Sequence, residues 1–319
     1  MAIIGYHASH EQFAPGDLLD YVQLAQQAGF EAGMCSDHSM PWSERQGQSG
    51  FSFAWLGAAL QATDLSYGVV CSPGQRHHPA IVAQAAATLS SMFPARFWIA
   101  LGSGQLMNEH ITGDRWPSKP ERQERLRECV DIIRALLAGD TVSHRGLVRV
   151  DEAKLWTRPD DPPQLIGAAI SPATAEWIGG WADGLITVAK QRNALEETID
   201  AFRRGGGENK PMYLQAQVSW ADSDAAARRQ AHDQWRTNIF PSNVQTELRM
   251  PADFDAAAAH LREEDLEGSI RVSADLERHV EWLRGDVELG FAGIYLHNVG
   301  RNQEAFIEAF GHHVLPHLE

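Results

Sequence analysis

The chain has 319 residues, 44% of them hydrophobic, with 42 acidic against 27 basic side chains and a formal charge of −15. That is enough apolar material for a large α/β core. The acidic balance excludes nucleic acid and an anionic membrane as partners, because either would be repelled over most of the surface.

Taken in order, apolar runs predict eight strands: Ala2–His7, Phe30–Cys35, Leu65–Ser72, Arg96–Leu101, Gln164–Ala168, Gly184–Val188, Pro211–Ser219 and Ala292–His297. Between them, helical spacing of apolar residues predicts helices over Asp17–Ala28, Gly50–Thr63, Pro79–Met92, Glu121–Ala138, Pro172–Trp181 and Leu195–Arg204. Asp222–Arg236, Ala252–Glu263, Ala274–Leu289 and Gln303–Phe310 follow. Eight strands alternating with helices are the sequence form of a (β/α)8 TIM barrel, with a doubly wound sheet as the alternative. With no internal repeat, residues 1–319 read as one barrel domain carrying insertions near 103–118, 140–163 and 237–270. Thr141–Trp156 alternates like a small hairpin, and Pro241–Pro251 reads as a loop over the barrel mouth, a usual place for a substrate lid.

Cys35, Cys71 and Cys129 lie far apart and form no C-x-x-C pair. They read as buried thiols of a cytoplasmic protein, neither disulfides nor metal ligands. The chain opens on an apolar strand without a basic leader, and no run reaches membrane-spanning length, so neither export nor anchoring is expected.

The residues after each strand converge on one end of a barrel, where this architecture keeps its chemistry. Ser36-Asp37-His38-Ser39-Met40-Pro41-Trp42 places a carboxyl, an imidazole and a large ring in one loop. Glu11 follows strand one, Ser72-Pro73 strand three and Gly102-Ser103-Gly104-Gln105 strand four. Ala168 and Ala169 close strand five. Thr187 and Lys190 follow strand six, Trp220 strand seven, and His297-Asn298 strand eight. A carboxyl pair, an imidazole, hydrogen-bond donors and aromatic walls suit a small-molecule substrate. The glycines could admit a phosphate or a polarised ring to backbone N–H groups, but without a third glycine or a surrounding βαβ unit they are a poor dinucleotide fingerprint. His7, His38 and His297 could be offered to a metal hydrolase; the first strand lacks an H-x-H pair, so no metal is assigned.

These residues resemble the luciferase-like flavin and deazaflavin oxidoreductases, close to the branch of glucose-6-phosphate dehydrogenases that use coenzyme F420. The likeness runs through Gly5–Phe13, the Ser36–Trp42 loop, His78–Gln84, Gly102–Gln105, Asn108-Glu109, Ala182–Gly184 and Phe306–Pro316. It implies a cofactor ring lying over the strand ends, held by Asp37, Ser103, Gly104, Gln105, Ala168 and Ala169, against a bulge with a cis peptide at Val69-Val70. It implies His38 as the base that takes a substrate proton, with Trp42 on the substrate side, Glu11 assisting, and Thr187, Lys190 and His297 facing the substrate. Gln105 stands where the family keeps a glutamate, and cannot deliver a proton. Of the family's phosphate-binding cations only Lys190 is matched; Gln245 and Ser269 fall at the other two positions, so glucose 6-phosphate is not the expected substrate. The cofactor is FMN or F420. FMN is slightly favoured, since F420 carries an oligoglutamate tail and only Arg45 and Arg76 offer cations. Arg45-Gln46-Gly47 and Gly74-Gln75-Arg76 also resemble a sister subgroup that works without F420. A homodimer is expected by the same resemblance, and a catalytically silent flavin-binding relative is the other reading.

Overall fold

The computed structural model describes residues 2–318. Eight parallel strands close into a barrel: Ile3–Ala8, Ala32–Ser36, Ser66–Cys71, Phe97–Leu101, Leu165–Ala168, Gly184–Val188, Met212–Ser219 and Gly293–Asn298. Each pairs with its sequence neighbour, and the last returns to the first through Ile3 opposite Gly293. The eight expected strands are all present, each within about two residues of the expected ends, because each is mostly apolar and mostly buried. The two-residue strand Arg271–Val272 also pairs with the seventh barrel strand.

The period-two alternation of the strands divides the core into two layers. Ala32, Met34, Trp98, Ala100, Ile166, Ile186 and Tyr295 fill the barrel interior, with Val70, Ala168 and Tyr213 packed against them. Trp98 and Tyr213 stack at 4.8 Å, and the Trp98 Nε1–H donates to the Tyr295 hydroxyl at 3.2 Å. Their alternating neighbours, among them Val69, Ile99 and Leu101, pack outward with the surrounding helices.

The expected bulge at Val69-Val70 does not form. Both residues lie in regular register, with Cys35 opposite Val69 and Ala100 opposite Val70, and all peptide bonds among the described residues are trans. The alternation points Val70 into the barrel and sends Val69 into the helical layer.

The expected hairpin forms from Val142–Arg145 and Arg149–Ala153. The segment near 237–270 is more structured than a loop: it holds short helices Ser242–Gln245 and Pro251–Ala257 and a 3-10 turn at Glu263–Leu266. The expected helix Ala252–Glu263 is therefore shorter. Its Asp253 carboxyl accepts from the Met250 backbone N–H at 2.9 Å, which fixes the start at Pro251.

Candidate active site

The strand ends and the 237–270 segment enclose a cavity of about 410 Å³. His38 lies on its wall. Its Nδ1 sits 3.2 Å from Glu11 Oε1, although the two are not aligned as a hydrogen bond. The Ser9 hydroxyl donates to the other Glu11 oxygen at 3.1 Å. Burial lowers the His38 pKa below 6.5, more than Glu11 raises it, so the ring is neutral at neutral pH. With Glu11 beside Nδ1, Nε2 is the nitrogen available to a ligand. Trp42 packs against the imidazole at 5.1 Å between ring centroids.

Asp37 is buried beside the same loop. Its Oδ2 accepts from Arg76 Nη2 and from His77 Nε2, each at 2.7 Å. Burial alone would raise the carboxyl, but the His77 bond and the Arg76 charge outweigh it, and its pKa falls below the ordinary value. Arg76 also donates through its backbone N–H to Glu109 at 2.7 Å. Burial raises Glu109 despite that contact. Arg76 is thus committed to protein carboxyls, and Arg45 pairs at the surface with Asp233 at 3.6 Å.

Val70, Gly102, Gly104, Ala168, Ala169, Ile186 and Val188 also line the cavity and bring no charged side chain to it. Gly104 adopts φ +86°, which a side chain would strain, and a Cβ there would crowd Glu109 and Trp116. Gln105 lines the cavity beside Ser103, and its side-chain oxygen accepts from Asn108 at 3.2 Å, which leaves its NH₂ free to donate. Thr187 Oγ1 and Asp37 Oδ1 are buried at the cavity with no hydrogen-bond partner among the described residues. A planar, polar-edged ring fits this surface, since it would meet apolar atoms on its face and find donors and acceptors at its rim.

At the floor, His297 is locked in one tautomer. Its Nε2 donates to Gln12 Oε1 at 3.2 Å and its Nδ1 faces the Gln215 amide at 3.3 Å. The Gln12 amide orientation is fixed because its NH₂ donates to the Val299 carbonyl at 2.8 Å. Burial drives the His297 pKa to about 4, so it stays neutral and holds shape.

Three expected residues lie elsewhere. Val69 packs among the helices, as described. Trp220 turns outward against Phe310 and donates Nε1–H to the Ala274 carbonyl at 3.1 Å. Lys190 points to a neighbouring cleft and donates to the Ile170 carbonyl and the Thr198 hydroxyl; burial lowers its pKa. Thr187, Gln245 and Ser269 do line the main cavity.

Sequence reasoning missed Lys119, Arg122, Ser171, Thr174, Trp235 and Phe240, all of which reach the cavity. Lys119 and Arg122 begin the helix Lys119–Ala138, and Ser171 caps the helix Pro172–Gly179 by accepting from the Thr174 N–H at 3.4 Å. The local signal for both helix starts was a Ser at the cap with a Pro in the first turn, Ser171-Pro172 and Ser118-Lys119-Pro120.

A barrel of this topology, with a cavity and an imidazole–carboxyl pair at its strand ends, defines an α/β barrel enzyme. Residues 3–293 match the luciferase-like monooxygenase family. The chain belongs to that family and is an oxidoreductase. It is 36% identical to the F420-dependent glucose-6-phosphate dehydrogenase of Beutenbergia cavernae, an alignment covering 100% of this chain and 98% of that protein. An F420-dependent secondary alcohol dehydrogenase, solved with an F420-acetone adduct, superposes with TM-score 0.91 at 29% identity, covering all of both chains. A type II Baeyer-Villiger monooxygenase component from the CAM plasmid of Pseudomonas putida, solved with FMN, shares the fold at TM-score 0.71 and 16% identity over 99% of this chain and 98% of its own. Among the described residues no helix is long and apolar enough to cross a membrane, and no cluster of three potential metal ligands occurs.

Proposed function

We propose that this protein is a coenzyme F420-dependent dehydrogenase of a small, uncharged secondary alcohol or its ketone. One observation carries the reading: in the cavity lined by the neutral His38 and Glu11, the cations among the described residues are Lys119 and Arg122, which we assign to the cofactor tail, leaving the His38 side to the substrate. Trp42, Trp235, Phe240, Gln245 and Ser269 form that side, and Lys190 is turned away.

The ring would lie over Val70, Gly102, Gly104 and Ala168, with Asp37, Ser103, Gln105 and Ala169 at its edges. When bound, it supplies hydride acceptance and return. Ser171, Thr174, Lys119 and Arg122 would hold its phosphate-bearing side chain, since a helix N-terminus and cations both favour an anion. Arg122 is buried, stacks on Trp116 at 4.3 Å and meets Glu247 at 3.1 Å. Lys119, which has no ion pair among the described residues, favours the longer anionic tail of F420, and Arg122 adds to it where the tail displaces Glu247.

The protein's own part is proton handling. His38 Nε2 accepts the hydroxyl proton as the substrate is oxidised, and Glu11 beside Nδ1 stabilises the imidazolium that results. Trp42 and Trp235 exclude water from the reacting carbon. The Gln105 amide can hold a polar ring edge by donating a hydrogen bond, but it moves no proton.

Initial rates with F420 and either propan-2-ol or glucose 6-phosphate test the substrate class. A phosphate without cations forgoes charge-assisted bonds of about 1.5–3 kcal/mol each. Propan-2-ol should be turned over and glucose 6-phosphate should not saturate the enzyme. Saturation by glucose 6-phosphate at lower concentration than the alcohol would overturn this reading.

A further inference from the structure

The wall that faces His38 is held from a distant part of the chain. Phe254, fully buried on the helix Pro251–Ala257, packs edge-on against Trp42 at 5.4 Å and 88°. Its neighbour Asp255 spends both carboxyl oxygens on the residues that follow Trp42: the Ser43 hydroxyl donates to one at 2.7 Å and the Glu44 backbone N–H to the other at 3.0 Å. A second tether runs through Gln46. Its side-chain oxygen accepts from the Trp42 N–H at 2.9 Å, and its NH₂ donates to the Gln234 carbonyl at 3.1 Å, next to the cavity residue Trp235.

Contacts across more than 200 residues of sequence therefore join the 237–270 segment to the His38–Trp42 loop. We infer that Phe254 and Asp255 are positioning residues that fix the Trp42 ring, so that the segment and the loop move as one unit and together set the size of the substrate. The coupling stands on geometry alone; only the meaning of Trp42 as a substrate wall rests on the proposed dehydrogenase reading.

Two mechanisms contribute. Trp42 can stay beside His38 only while Phe254 fills the space behind it, because a buried ring lost to a smaller side chain leaves room for its neighbour to shift. The Asp255 bonds keep the backbone at 43 and 44 against the helix, and two such bonds made by one carboxyl must break together if the segment lifts. Size selection follows: a fixed Trp42 admits a short alcohol and rejects a branched or longer one.

The test pairs hydrogen exchange with kinetics on Asp255→Ala and Phe254→Leu. In Asp255→Ala, amides in residues 39–46 and 237–257 should both exchange about 10-fold faster or more, as expected when local opening of a shared unit becomes easier. With propan-2-ol, KM should rise about 5- to 20-fold while kcat stays within about twofold, the mark of lost binding without lost chemistry. Phe254→Leu, which keeps the burial but not the ring, should raise kcat/KM for heptan-4-ol relative to propan-2-ol. Faster exchange confined to 237–257, with 39–46 unchanged, would overturn the proposal, as would unaltered alcohol preference in a folded Phe254→Leu. Should the parent bind neither F420 nor FMN while the two segments still loosen together, the coupling stands and the dehydrogenase reading falls.

Discussion

In the proposed reaction His38 works only when neutral. Its pKa lies below 6.5 because burial outweighs the nearby Glu11 carboxyl. Activity should therefore be level around neutral pH and fall on the acid side, with the inflection of kcat/KM below 6.5. Glu11→Gln removes the group that raises the pKa, so the inflection should move further toward acid and the plateau should drop. His38→Ala should lower turnover by about 10²- to 10⁴-fold, the usual loss for a general base, with F420 affinity little changed. A His38→Ala variant as active as the parent would exclude the assigned role. The residues around His38 that were legible in the sequence, Asp37, Trp42, Glu11 and Gln105, share one property: each lies within a few positions of a strand's C-terminal end. Lys190 and Trp220 satisfied the same rule and yet turn away, because side-chain direction after a strand is decided by packing partners that local sequence does not name.

At the scale of elements, the strands were the most legible part because they are mostly apolar, with polar residues such as His7, Gln215, Gln217 and His297 where they line the cavity. Their interior fit was not legible. A Cβ on Gly68 would overlap the Trp98 ring, which stands across the neighbouring strand inside the barrel. Gly68→Ala should destabilise the protein by about 1–3 kcal/mol, the range for overpacking a tight core, measured as a lower midpoint in urea. An unchanged midpoint would show that Trp98 can shift freely. Pro241–Pro251 was expected as a loop over the mouth and Ala252–Glu263 as one helix; Ser242, Asn243, Gln245 and Thr246 line the cavity, and the helices there are Ser242–Gln245 and Pro251–Ala257. These short helices are stabilised by contacts with other parts of the chain, such as Phe254 on Trp42 and the Leu106 N–H donating to the Thr246 carbonyl at 3.0 Å. Isolated helices of four to seven residues have little stability of their own, so periodicity could not announce them.

For the whole molecule, alternation of strand and helix allowed a barrel or a doubly wound sheet; the pairing of the first and last strands closes the barrel and brings residues from both ends of the sequence into one cavity. Glu11 and His297 share its wall only because the first and last strands pair. Lys119 and Arg122 entered the cavity unannounced, since they follow an insertion and not a strand. Their position bears on the proposed cofactor: a chain of net charge −15 still brings Lys119 and Arg122 to the cavity, although Arg122 also meets Glu247. The most direct measurement is an anaerobic spectroscopic titration of the purified protein with F420 and, separately, FMN, followed by addition of propan-2-ol to each complex. F420 should bind more tightly than FMN, and its absorbance should bleach on addition of the alcohol as hydride is transferred. Tight binding of FMN without F420 binding, or an F420 complex that no small alcohol reduces, would contradict the account.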